Sequence, residues 1–168
     1  IRVFHGKFHE SLQELRAAGV GAFANILDDD PHREVRLRLK PAAMEKLSWQ
    51  KDTARGDGAE SSITFALPKL NWVSGVRIRY QHSNSKRGPA YYRYSPSLTP
   101  YFLVEWRKAG ETEYDKANRY LDVENNVGPD AEQTVTIWVQ GTIDQLRIHP
   151  DRQPFECRIA EITLLVPE

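Results

Sequence analysis

The stretch that decides the fold is Gln133–Glu168, QTVTIWVQGTIDQLRIHPDRQPFECRIAEITLLVPE. In Thr134–Gln140, Val135, Ile137 and Val139 alternate with Thr134, Thr136 and Trp138, the period-two pattern of a strand, and Gly141-Thr142 breaks it. Ile143–His149 sets Leu146 and Ile148 in register and stops at Pro150, which has no N–H to give a ladder. Phe155–Val166, rich in Ile and Leu, forms a third strand closed by Pro167. Three strands so close together, with no helical periodicity between them, predict an antiparallel all-β core.

Working towards the N-terminus, the same alternation recurs. Glu34–Lys40 sets Val35, Leu37 and Leu39 against Arg36, Arg38 and Lys40, and Val73–His82 sets Val76, Ile78 and Tyr80 against Arg77 and Arg79. Ser61–Leu67 and Tyr101–Lys108 read as strands, and Tyr120–Val123 as a short one. Phe8, Leu12 and Leu15 fall at helical spacing before Gly19, which predicts an N-terminal helix, and Pro41–Leu47 is a weaker helical segment. Trp49–Glu60 is expected to be a loop. The expected fold is therefore an antiparallel β-sandwich of jelly-roll type, with about eight strands and one N-terminal α-helix. Its expected core is Leu37, Phe65, Val76, Ile78, Val104, Ile137, Leu146, Ile148 and Ile162.

Length and charge narrow the function. The 168 residues make a single domain, residues 1–58 supplying the helix, a strand and loops and residues 59–168 the main strands. The chain opens on Ile1 rather than Met, so the expectation is a domain excised from a longer protein. Its 23 basic and 23 acidic side chains cancel, which argues against nucleic acid as a partner and favours a ligand of low charge or a strictly local charged site. No apolar run reaches the roughly 18 residues of a membrane span. Cys157 stands alone and, inside a strand pattern, is expected to be buried and inert.

The order SSITFALPK, WVSGVRIRYQHS, PYFLVEW, QTVTIWV, IDQLRIHPD, FECRIAEITLL resembles the jelly-roll sandwich of galactose-binding-like domains, a group that includes many carbohydrate-binding modules. The ending Ile143–Pro150 followed by Ile159–Ile162 carries most of the likeness, which covers residues 59–168; the first sixty residues have no counterpart in that pattern. The resemblance implies a non-catalytic binding or targeting module of a glycan-active, cell-envelope or extracellular protein. It also implies a structural Ca²⁺, for which Asp28, Asp30, Asp57 and Glu161 are the candidate oxygen ligands.

The residues themselves point to one stretch for ligand contact. Ser83–Pro100, SNSKRGPAYYRYSPSLTP, has no hydrophobic periodicity, and a connection this long in a small domain is commonly functional. Sugars are apolar on their ring faces and polar at the rim, so they need aromatic rings together with hydrogen-bond donors. Arg87, Tyr91, Tyr92, Arg93 and Tyr94 supply both, with Trp72 and Arg79 as further candidates; the alternative is that one or two of the tyrosines tuck under the loop and pin it to the sandwich. Arg36, Arg38, Arg77, Arg79 and Arg147 would form a basic patch for acidic sugars if their strands were neighbours, although cross-strand pairing with Glu34, Glu105 and Asp144 is the commoner outcome. No nucleophile elbow, phosphate loop or metalloprotease motif is present. Two other functions stay open at this point: a structural module that docks on a neighbouring domain, and a polysaccharide-active enzyme on a sandwich scaffold.

Overall fold

The computed structural model describes residues 32–83, 102–122 and 132–168. These contain eleven strands: β1 (His32–Arg36), β2 (Ala43–Glu45), β3 (Leu47–Gln50), β4 (Thr53–Gly56), β5 (Ser62–Ala66), β6 (Val73–Ser83), β7 (Phe102–Lys108), β8 (Arg119–Asp122), β9 (Glu132–Gly141), β10 (Ile143–His149) and β11 (Phe155–Pro167). The predicted helix around Phe8–Arg16 lies outside the described residues. No described helix is long and apolar enough to cross a membrane.

The strands form two antiparallel sheets. Sheet A runs β3-β4-β11-β6-β9, with β1 also paired to β11, and sheet B runs β2-β5-β10-β7-β8. From β4 onwards the chain crosses from one sheet to the other at each connection except the β7–β8 hairpin, so that β4-β11-β6-β9 faces β5-β10-β7-β8. This interleaved order is the double Greek key of a jelly roll. The three C-terminal strands that decide the fold class do not pair with one another: β10 lies in sheet B, while β9 and β11 flank β6 in sheet A.

Alternation fills the space between the sheets. Sheet A contributes Val76, Ile78, Tyr80, Ile137, Ile159, Ile162 and Leu164, and sheet B contributes Ile63, Phe65, Phe102, Val104, Leu146 and Ile148, all buried. All nine residues of the expected core belong to this cluster. A bulge between Ile159 and Glu161 shifts the register of β11 against β6, which keeps Ile162 and Leu164 pointing inward.

Two expectations are overturned by the structure. Pro41–Leu47 is not helical: Ala43–Glu45 adds to the edge of sheet B, and Lys46, at φ 48°, turns the chain into β3 on sheet A. That corner is held by the Ser61 hydroxyl, which donates to the Lys46 carbonyl at 2.8 Å. Nor is Trp49–Glu60 a loop throughout, because Leu47–Gln50 and Thr53–Gly56 close a hairpin around Lys51-Asp52, with Lys51 at φ 59°. Trp49 packs edge-on against Phe65 in the core, 5.9 Å between ring centroids.

Candidate functional site

The outer faces of the two sheets differ in how their charges are matched. On sheet A, Arg77 pairs with Glu34 at 2.6 Å, Arg36 with Glu161 at 2.9 Å, and Arg79 with Glu132 at 3.1 Å. Each of these arginines has its own closest carboxylate, which is the cross-strand pairing expected of a solvated sheet face. At the β9 edge, Trp138 lies over Gly75, beside His32, so this strand tryptophan packs on the sheet.

Sheet B carries a different arrangement. Register places Arg119 (β8), Glu105 (β7), Arg147 (β10), Thr64 (β5) and Ala43 (β2) in one row across all five strands. The row's centre is Glu105, only 5% exposed although it lies on the outer face. Arg147 donates to its Oε2 from Nε at 2.8 Å and from Nη2 at 2.7 Å, and His149 Nε2 stands 2.8 Å from the same oxygen. Arg119 approaches Oε1 at 3.6 Å. Burial pushes the Glu105 carboxyl up, but hydrogen bonds from His149 and Arg147, with the Arg147 charge, outweigh it and hold the group below its ordinary value. Glu105 is therefore an acceptor only, and His149 must carry its proton on Nε2.

Tyr114, from the β7–β8 connection, folds back over this row. The Arg147 guanidinium lies 3.9 Å from the Tyr114 ring centroid, and the Tyr114 hydroxyl meets Gln145 Oε1 at 3.0 Å. Gln145 shares the next row with Arg107 and Ala66, and Arg107 grips Asp144 with two parallel hydrogen bonds of 2.9 and 3.0 Å. On the other side a third row sets Leu121, Leu103 and His149 side by side, with Leu121 40% exposed. The face thus offers fixed donors, an aromatic ring and one exposed leucine, Leu121, within three strand rows, Leu103 being buried. Of its members, sequence alone singled out Arg147, Glu105 and Asp144; Tyr114 and Arg119 come from irregular or short segments with no periodicity to place them.

Of the residues expected from sequence to bind ligand, Arg87, Tyr91, Tyr92, Arg93 and Tyr94 lie outside the described residues. Trp72 is exposed just before β6, and its neighbour Asn71 accepts a 2.6 Å hydrogen bond from the Thr142 hydroxyl through its carbonyl. Arg79 lies seven residues further along that strand, roughly 20 Å away at the usual strand rise, on the sheet A face. The two are not brought together, and neither joins the Glu105 row.

Asp28 and Asp30 also lie outside the described residues. Asp57 is exposed beyond β4, whose end pairs with Phe155, while Glu161 lies six residues further along β11, roughly 20 Å from there, engaged by Arg36 and Arg79. Asp57 and Glu161 therefore do not converge on one ion. Among the described residues no group of three or more His, Cys, Asp or Glu side chains is placed to hold a metal.

A buried polar pair that sequence reasoning did not single out sits at the end of the sandwich. His82 Nε2 is 3.2 Å from Asp151 Oδ2 and 3.1 Å from the Pro150 carbonyl, and Asp151 Oδ1 accepts from the backbone N–H groups of Arg152 and Gln153. These bonds fix the β10–β11 turn, against whose backbone Gly58 packs. The pair's geometry explains a structural anchor and offers no open face to a ligand.

No protein family and no curated protein matches the chain in sequence. Solved structures do match in shape. A xylan-binding module, CBM15, superposes with a TM-score of 0.52 at 12% identity, over 81% of this chain and 97% of that one. The C-terminal CBM6 of LamC from Zobellia galactanivorans gives 0.49 at 13% identity, over 79% and 99%, and a xylan-binding CBM86 from Roseburia intestinalis gives 0.48 at 14%, over 80% and 96%. At such identities the likeness speaks to fold alone, and the first superposition together with the interleaved strand order establishes that this chain has the jelly-roll β-sandwich fold of carbohydrate-binding modules.

Proposed function

We propose that the domain is a non-catalytic carbohydrate-binding module that takes its glycan on the outer face of sheet B. The observation that carries this is the row Arg119-Glu105-Arg147 with Tyr114 laid over it. Glu105 clamps Arg147 and His149, so the free guanidinium donors of Arg147 are held in place before any ligand arrives and little rotamer entropy is lost on binding. Tyr114 and the exposed Leu121 supply the apolar surface that sugar ring faces need. The solved neighbour of like fold is itself described as xylan-binding, which supports the same class of ligand.

The stretch with Arg87, Tyr91, Tyr92, Arg93 and Tyr94 belongs to the proposal on its chemistry: it precedes Phe102 in the chain, and Phe102 is the first residue of β7, three before Glu105. Nothing in the described residues favours docking on a neighbouring domain or turnover of a polysaccharide. Of the exposed large apolar residues, Met44 lies on one edge strand of sheet B, the adjacent Tyr120 and Leu121 lie on the opposite edge strand, and Trp72 lies on a loop, so the four do not form one patch.

Titration calorimetry against soluble xylan, mixed-linkage glucan and a uronic-acid polymer tests the reading. Binding is expected for at least one of them, weakened about tenfold or more by Tyr114→Ala and by Arg147→Met, with the far-ultraviolet circular dichroism of both variants unchanged. Absence of heat with every polymer at millimolar sugar overturns it.

A further inference from the structure

The matching of charges on the two sheet faces carries a statement about ligand class. On sheet A, Arg36, Arg77 and Arg79 have Glu161, Glu34 and Glu132 as their respective closest carboxylates. On sheet B two arginines of the central row and a histidine of the neighbouring row share one carboxylate, Glu105. The adjacent Asp144 gives no relief, since both its oxygens are taken by Arg107. Glu105 neutralises one guanidinium, and Arg147, through two short bonds to Oε2, is the one it neutralises.

Arg119 is left over. Its guanidinium stands 3.6 Å from Glu105, beyond a good hydrogen bond, with the side chain 41% exposed, and among the described residues it has no other side-chain partner. A planar cation with unspent donors, beside an already neutralised ion pair and the exposed Leu121, is suited to a carboxylate or a sulfate held by two parallel hydrogen bonds. A neutral sugar hydroxyl would leave its charge unmatched.

We infer that the glycan taken by this face bears an anionic substituent, seated on Arg119 next to the Glu105–Arg147 pair. This rests on the glycan-binding reading above and sharpens it: the overall net charge of zero excludes a protein-wide field, so the selectivity is local, set by one row of one sheet. The carboxylate of a uronic acid and a sulfate ester present the same chemistry to Arg119, and the polymers used in the test separate them.

The test compares backbones that differ only in charge: xylan with and without glucuronic acid side groups, and dextran with and without sulfate, each titrated at physiological ionic strength. Wild-type protein is expected to bind the acidic form of one pair about tenfold tighter than its neutral form. Arg119→Gln is expected to abolish that preference, bringing the affinities for the acidic and neutral forms of the pair level. Arg38→Gln, which removes the same charge from an exposed position beyond β1, is expected to keep it. Equal affinity for neutral and acidic forms, a preference that survives Arg119→Gln, or one lost equally in Arg38→Gln overturns the inference but leaves glycan binding standing. Failure to bind any of the four polymers, with no heat from mixed-linkage glucan or the uronic-acid polymer either, overturns the glycan-binding reading itself.

Discussion

The Tyr80 ring of sheet A lies flat on the Phe102 ring of sheet B, 3.8 Å between centroids and 3° from parallel. Tyr80 is 2% exposed and Phe102 fully buried, and the Tyr80 hydroxyl finds Gln133 Oε1 at 2.9 Å, so the pair couples the sheets without stranding a polar atom. Phe102 is also three residues before Glu105 on the same strand. Phe102→Ala should therefore cost about 3–5 kcal/mol in denaturant unfolding, whereas Phe102→Leu, which keeps most of the volume, should cost less than about 2 kcal/mol. Equal losses for the two would mean that the stack does not fill the space it occupies.

Gly58 sits at φ +117°, a conformation that side chains other than glycine's scarcely adopt, and a Cβ there would fall 2.3 Å from the Arg152 carbonyl oxygen. The obstacle is backbone, in a turn already fixed by Asp151, so it cannot swing away. Gly58→Ala should destabilise by about 2–5 kcal/mol in thermal or urea unfolding. Gly110 is the internal control: its φ of +88° is also unfavourable, but a Cβ would meet nothing within 4 Å, so Gly110→Ala should cost only the backbone term of about 1–2 kcal/mol.

These constraints mark how far the sequence could be read. Strands with strict alternation, such as Val73–Ser83 around Val76, Ile78 and Tyr80, were legible because one buried face imposes period two on their side chains. The β3–β4 hairpin was not, since its turn is Lys51-Asp52 and lacks the Asn-Gly or Asp-Gly signature, while its strands are four residues each. Likewise β2 hides behind a Pro-Ala-Ala-Met-Glu run of good helix formers, and only the left-handed Lys46 and its contact with Ser61 reveal why a helix does not continue. For the site, the dual nature of Glu105 was invisible: alternation identifies an outward strand residue, but its burial comes from what lies over it. Tyr114 reaches that row through tertiary folding of a ten-residue connection, which no periodicity encodes.

Cys157 gives a chemical test of the packing. It is fully buried, paired in register with His82, and burial, with the nearby Asp151 charge, pushes its thiol far above the ordinary range. A disulfide-exchange reagent or iodoacetamide should leave the native protein unmodified over hours at pH 8 and label it at once in denaturant. Rapid labelling of the native protein would show that β11 and β6 open locally at this end of the sandwich.

The Glu105 cluster also has a pH signature, whose sign follows from the direction of its shift. The carboxyl is held below its ordinary value in the folded protein, because bonds from His149 and Arg147 outweigh the cost of burial. Its stabilising effect is therefore complete above the unfolded value, near pH 4.3, and disappears as pH falls through the lower folded value. Glu105→Gln keeps the shape and removes the titration. Unfolding free energy should be lower in the variant than in wild type at pH 7, by about 1–3 kcal/mol, since an amide cannot match the charge of Arg147. The gap should shrink as pH falls below about 4.3, where the unfolded chain takes up the proton, and close once the lower folded value has been passed and native Glu105 is itself neutral. Asp52, held low mainly by its hydrogen bond from Arg158, also contributes to the acid limb, but it is common to both proteins and cancels in the difference. A gap that stayed constant from pH 7 to pH 2, or no gap at all, would show that the charge of Glu105 does not organise the cations of sheet B.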